Sequence, residues 1–279
     1  MLQKIASRFL VVASAVFVLA ATPAVVQAGP IFLTGHDPDF HAQPTAGAGA
    51  TLLSTGLSFV TGGTFNDHLA ATKFLWVESA IAAPGGHLKG YNSLDDVGAL
   101  AGLDYDVVDA VGFATANLSS YTAIGVASSF GGTLTRAELD ALIARKTDIE
   151  NFINAGGGLF ASSECYPCGA DLLGNATGLF GFLPVAVTSI GAAGPFTATA
   201  YGLSLGLTNA NLNDPTHNSF GLVGGLNVVD VDNAGKATTL AGNVRIGGGV
   251  ITPVPEPASL ALLGCGLVGL MARRFRARQ

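Results

Sequence analysis

Short apolar runs, separated by glycines and polar clusters, recur along most of the chain and predict alternating strands and helices. Ile31-Phe32-Leu33-Thr34 is a compact apolar run, as expected of a buried strand, and it feeds the polar stretch Gly35-His36-Asp37-Pro38-Asp39-Phe40-His41. Ala42 to Thr51 is rich in Gly, Ala and Thr and predicts a loop, with a helix from about Gly49 to Val60. From Asn66 to Ala82, Leu69, Phe74, Leu75, Val77 and Ile81 fall among Lys73 and Glu78, which predicts an amphipathic helix with Trp76 in its core, stopped by Pro84-Gly85-Gly86. Leu94 to Leu103 predicts a short helix, with Ser93 as N-cap and Asp95 and Asp96 in its first turn.

Tyr105 to Val111 and Tyr121 to Ala127 read as the next strands. The clearest helix follows. Thr135 and Glu138 form a capping box, Leu139, Leu142, Ile143, Ile149, Phe152 and Ile153 recur at helical spacing, and Gly156-Gly157-Gly158 ends it. Leu159 to Ser162 is again a buried strand. This order predicts an α/β body with an open, mainly parallel sheet flanked by helices. The remainder, Leu172 to Gly249, is punctuated by glycine and predicts an extra β-rich part. Its strand candidates are Pro184–Ser189, Phe196–Tyr201, Gly225–Val231 and Thr238–Ala241, with Asp232-Asn233-Ala234-Gly235 as a hairpin turn.

The two ends follow different rules. Lys4 and Arg8 precede the apolar stretch Phe9 to Ala21, and Val26-Gln27-Ala28 is a small-residue cleavage site, so residues 1–28 read as a signal peptide cut by signal peptidase after Ala28; a retained signal anchor is the alternative. At the other end, Pro255-Glu256-Pro257 resists helix, the uncharged run Ala258 to Ala272 follows, and Arg273, Arg274, Arg276 and Arg278 close the chain. As a single transmembrane helix that run would be roughly 22 Å long, short of a hydrocarbon core of roughly 30 Å. The arginines behind it would stay cytoplasmic. They crowd the end of the run and disfavour a buried helix; a stop-transfer anchor is the plainer reading. The domain boundaries expected are 1–28, 29–252 and 253–279.

Val254-Pro255-Glu256-Pro257, the apolar run and Arg273-Arg274-Phe275-Arg276 together resemble the PEP-CTERM sorting signal of Gram-negative bacteria. The resemblance implies recognition by an exosortase, a membrane-embedded transpeptidase-like protease. Pro255, Glu256 and Pro257 are then substrate residues. The chain would be anchored briefly in the inner membrane, cut near Pro-Glu-Pro, and released to the cell surface or an extracellular polysaccharide matrix.

Charge sharpens the choice of partner. Of 13 basic residues six lie in the two ends, and of 19 acidic residues only Glu256 does, so the body keeps seven basic against 18 acidic residues, a net charge of −11. That argues against nucleic acid or an anionic membrane surface as a partner.

A second resemblance rests on Tyr121-Thr122-Ala123-Ile124, the helix ending Ile149 to Gly158, and Leu159-Phe160-Ala161. These look like the middle of class I glutamine amidotransferase-like proteins, the trehalose-utilisation type included, and imply a flavodoxin-like sheet. The family's nucleophile would fall near Ser162 to Cys165, which makes Cys165 a candidate with His217 as base. The family's Gly-x-Cys-x-Gly elbow and His-x-Glu pair are both missing from this sequence.

Two clusters could carry chemistry on their own account. His36, Asp37, Asp39 and His41 are residue types that suit a divalent metal, at the end of strand one where open α/β sheets bind ligands. The alternative is a polar loop in which Asp37 and Asp39 cap and turn the chain. Cys165-Tyr166-Pro167-Cys168 is a C-x-x-C, readable in an exported protein as a structural disulfide, a redox pair or half a metal site. Paired export signals and broken catalytic signatures make a non-enzymatic envelope or matrix component, associated with exopolysaccharide, the leading expectation. A surface hydrolase using the first loop and a thiol–disulfide protein are the alternatives.

Overall fold

The computed structural model describes residues 28–42, 48–79, 90–129, 134–163, 181–185, 187–190, 193–212, 218–221 and 224–254. Residues 28–254 form one compact unit. Within it the described strands make a mixed, 11-stranded sheet. One half is parallel and holds β3 (Tyr105–Val108), β2 (Phe74–Val77), β4 (Ala123–Val126), β5 (Gly158–Ser162) and β1 (Gly29–Thr34), side by side in that order. Its inner strands are continuous apolar runs because both faces are covered: every residue of β2, β4 and β5 is buried.

Helix α1 is the single turn Pro38–His41, and α2 spans Ala48–Thr61. α2 packs on β1, β4 and β5. Under it Phe32 stacks on Phe160 at 5.9 Å and meets Phe59 at 6.2 Å. Gly56 allows this approach, since a Cβ there would come within 2.6 Å of the Phe160 ring. α3 (Tyr91–Asp96) and α4 (Ala110–Thr115) follow β2 and β3. α5 (Arg136–Ala144) and α6 (Lys146–Asn154) connect β4 to β5, and α6 packs on β1, β5 and β10 through buried Ile149, Phe152 and Ile153. The β1–α2–β2 and β4–α5–α6–β5 connections run in opposite directions across the sheet, so the right-handed crossover rule expects α2 and the α5–α6 pair on opposite faces.

The other half is antiparallel and centres on β10 (Ala237–Gly247), the longest strand. One edge of β10 pairs with β1 from Gly29↔Val244 to Thr34↔Thr239. The other edge takes β9 (Asn227–Val231) and β11 (Val250–Pro253). β8 (Asn218–Phe220) pairs with β10 and with β6 (Val187–Ile190), while β7 (Thr197–Ala198) pairs with β9 and precedes α7 (Ala200–Ser204). The β9–β10 hairpin turns at Asp232–Gly235 as expected, with the Asp232 carboxylate accepting from Ala234 and Lys236 N–H. β10 and β11 are joined by Gly248 and Gly249 at φ 60° and 75°, the pair of positive φ values that a two-residue type I′ turn needs.

Several expectations need correction. The sheet is mixed rather than mainly parallel, because β10 and its partners run antiparallel. The helix expected over Asn66–Ala82 is a 3₁₀ turn at Ala70–Thr72 followed by strand β2. Four consecutive apolar residues satisfy a strand buried on both faces better than one helical stripe. The helix at Leu94–Leu103 lies earlier, at Tyr91–Asp96, and its N-cap is Gly90 rather than Ser93. Tyr105–Val111 ends as a strand at Val108, where Asp109 caps α4 by accepting from Gly112 N–H at 2.8 Å. The strand expected over Phe196–Tyr201 stops at Ala198, and Thr199 caps α7. The long helix after Thr135 keeps its capping box but breaks at Arg145, whose guanidinium donates to Phe113 O at 2.6 Å and Ala116 O at 2.9 Å. Those carbonyls close the C-terminus of α4, where a cation is favoured. Among the described residues no helix is long and apolar enough to cross a membrane; the C-terminal run expected to do so lies outside them.

Candidate functional site

The parallel strands change from apolar to polar at one level. Leu33, Ala161, Val126, Val77 and Val108 are matched across five strands. One step further on, Thr34 stands opposite Ser162. The ladder then continues through Ser163 N–H to Thr34 O, Gly35 N–H to Thr238 O and Ala127 N–H to Val77 O. At this carboxyl edge the hydroxyls of Ser79, Ser129, Ser162 and Ser163 are buried and have no hydrogen-bond partner among the described residues. Carboxyl edges are where open α/β sheets bind ligands.

The loop after β1 delivers its ionisable groups into this polar layer, where each meets a different partner. His36 is buried, its Nε2 2.9 Å from Asp230 Oδ2, with the ring edge against Phe196. Thr238 Oγ1 donates to the same Asp230 oxygen at 2.5 Å. Burial pushes the Asp230 carboxyl up, but the His36 charge and the bonds from His36, Thr238 and Thr239 outweigh it and hold the group below its ordinary value. His41 Nε2 lies 3.4 Å from Asp37 Oδ2. Asp39 is buried and accepts from Ser128 N–H at 2.7 Å, while its carbonyl accepts from Ser93 Oγ. Burial raises its carboxyl to about 6, against the Ser128 hydrogen bonds and the His41 charge, which pull down.

His36, Asp37, Asp39 and His41, neighbours in sequence, each meet a different set of groups in this polar layer. His41 faces Asp37 and its charge also reaches Asp39, whereas His36 bonds to Asp230 of β9 and Asp39 accepts from Ser128 past the end of β4. Among the described residues no group of three or more His, Cys, Asp or Glu side chains is arranged to hold a metal ion. Asp230 is the residue that sequence reasoning missed. Its signal was a lone carboxylate inside the apolar run Val228-Val229-Asp230-Val231, which marks a buried charge awaiting a partner. Glu78 is likewise buried and occupied, accepting from Trp76 Nε1 at 2.8 Å, Gly90 N–H at 2.7 Å and Tyr91 N–H at 2.9 Å. Cys165, Cys168 and His217 lie outside the described residues, as do Pro255, Glu256, Pro257, Arg273, Arg274 and Arg276. Ala28 is the first described residue and directly precedes β1.

At the opposite, amino edge lies an open cavity of about 870 Å³. Its lining includes the aromatic residues Phe59, Tyr121 and Phe152, the amide residues Asn117, Asn151 and Asn243, and the charged pair Arg145 and Asp148. The Asn243 carbonyl also accepts from Val254 N–H at 3.3 Å, so the cavity adjoins the last described residue of the body.

Residues 253–277 match the PEP-CTERM protein-sorting motif. The motif identifies an exported protein that is anchored in the membrane by its tail and then processed by an exosortase. No curated protein and no solved structure matches the chain.

Proposed function

We propose that the body is a non-enzymatic binding module of the cell surface or extracellular matrix of a Gram-negative bacterium, and that it associates with exopolysaccharide. In this reading residues 1–28 are the signal peptide removed by signal peptidase, residues 29–252 the exported body, and residues 253–279 the sorting signal. The body is a flavodoxin-like relative of the amidotransferase-like proteins without their elbow. The observation that carries the reading is the amino-edge cavity of about 870 Å³, whose lining combines aromatic and amide side chains. A sugar ring offers an apolar C–H face and hydroxyls that donate and accept, so it matches such a lining. The exposed, uncharged Asn151 and Asn243 are the residues assigned to hydroxyl contacts.

The test is retention of the processed protein on the producing strain's own exopolysaccharide, by affinity electrophoresis, with Asn151→Ala and Asn243→Ala alongside. Retention that falls at least several-fold in the variants supports the reading. A wild-type protein that migrates identically with and without the polysaccharide overturns it.

A second reading, a surface hydrolase, draws support from the raised Asp39 carboxyl at about 6, in the same polar edge as serine hydroxyls that are buried and without a partner among the described residues. Its mark would be glycoside or ester hydrolysis that disappears in Asp39→Asn.

A further inference from the structure

The matched sorting motif begins at Pro253, yet Pro253 is the last residue of β11 and pairs with Val244. Val254 N–H donates to Asn243 O. The first two residues of the motif are thus part of the folded sheet. They can go no further along β10, because Ala241 is already paired with Asn227 of β9. The next residue in the sequence, Pro255, has no N–H with which to extend such a ladder.

Only Pro255, Glu256 and Pro257 separate Val254 from the apolar run that begins at Ala258. Three residues span at most about 10 Å when extended. A partner that reads an extended peptide does so by adding it as a strand, through main-chain hydrogen bonds over several residues. On the upstream side those residues would be Val250 to Val254, and their main chain is already engaged with β10.

We propose that β11 belongs to the segment that the sorting protease binds, and that it leaves β10 to be bound. The partner this surface fits is a membrane-embedded protease that accepts its substrate as an extended strand. β11 suits exchange between two partners. It is four residues long, and Ile251 is its only buried side chain. Its departure leaves β1 in place on the far edge of β10, where Gly29 pairs with the same Val244. The proposal rests on the sorting role of the motif and adds an upstream half to the recognised segment.

The test uses the full precursor in its own host. Arg245 and Thr252 stand directly opposite each other, both on the exposed side of the hairpin. Opposed residues of an antiparallel pair lie about 4.5–5.5 Å apart at Cα, within disulfide reach. Arg245→Cys with Thr252→Cys, oxidised on export, locks β11 to β10. The expected result is at least a tenfold slower conversion of precursor to processed protein, restored by a reductant, with both single variants processed normally. Eight Gly/Ser residues inserted between Val254 and Pro255 supply a free upstream strand, and the locked, extended variant is expected to be processed at the wild-type rate. Wild-type processing of the locked variant without the spacer overturns the proposal, as does a block that neither reductant nor spacer relieves. The sorting reading fails separately, if deleting residues 273–279 leaves processing of the unlocked protein unchanged.

Discussion

Asp39→Asn isolates the energetic consequence of the buried loop after β1. Asp39 is without solvent exposure, and burial raises its carboxyl from 3.8 to about 6. The folded protein therefore holds the Asp39 proton more tightly than the unfolded chain does. The stability attached to that proton is fully present below pH 3.8, declines as pH rises, and is gone once pH has passed the folded value near 6. Between those values the decline is about 1.4 kcal/mol per pH unit, about 3 kcal/mol in all. Asparagine keeps an oxygen for the Ser128 N–H but carries no titrating proton. The stability of the variant minus that of the wild type should accordingly rise by about 2 kcal/mol between pH 4 and pH 7, the rest of the change lying below pH 4. Urea unfolding of the processed protein at half-unit pH steps measures this difference, and contributions from Asp230 and the surface carboxylates cancel in it. A difference that stays flat from pH 4 to 7, or grows toward acid, would refute the buried, proton-holding Asp39.

Asp230→Ala removes the carboxylate partner of buried His36 and should lower unfolding stability by about 3–5 kcal/mol, while His36→Ala with Asp230→Ala should cost clearly less than the sum of the single changes in denaturant titrations. Thr135→Ala removes the capping box of α5 and should cost about 1 kcal/mol, visible as a fall of about 2–4 °C in Tm by calorimetry. Gly56→Val drives a side chain into Phe160 and Phe32 and should destabilise by about 1–3 kcal/mol or more; an unchanged Tm would contradict the close packing of α2 on the sheet.

How far the fold was legible depended on whether its cause was local. β1, β4 and β5 announce themselves as short apolar runs bounded by turn signals, and the Thr135–Glu138 box marks a helix start through residues three apart. β2 was misread because Lys73 and Glu78 look like the polar face of a helix. In the structure Lys73 precedes the strand and pairs with Asp106, whereas Glu78 is buried with three donors. Nothing near Arg145 in sequence shows that its side chain will close the end of α4, or that the long helix divides at this residue. The His36–Asp230 pair joins residues 194 apart, which only the completed sheet brings together. The loop of His36, Asp37, Asp39 and His41 was visible as a polar cluster, but its side chains were sorted by partners on β4 and β9.

The account turns on the sorting tail, and intact mass of the surface-released protein tests it most directly. In the wild-type host the mature chain should begin at Gly29 and end near Pro255–Pro257, without the arginine cluster. In a host lacking the exosortase the chain should retain residues 258–279 and stay with the membrane. A released protein with the same C-terminus in both hosts would contradict the account.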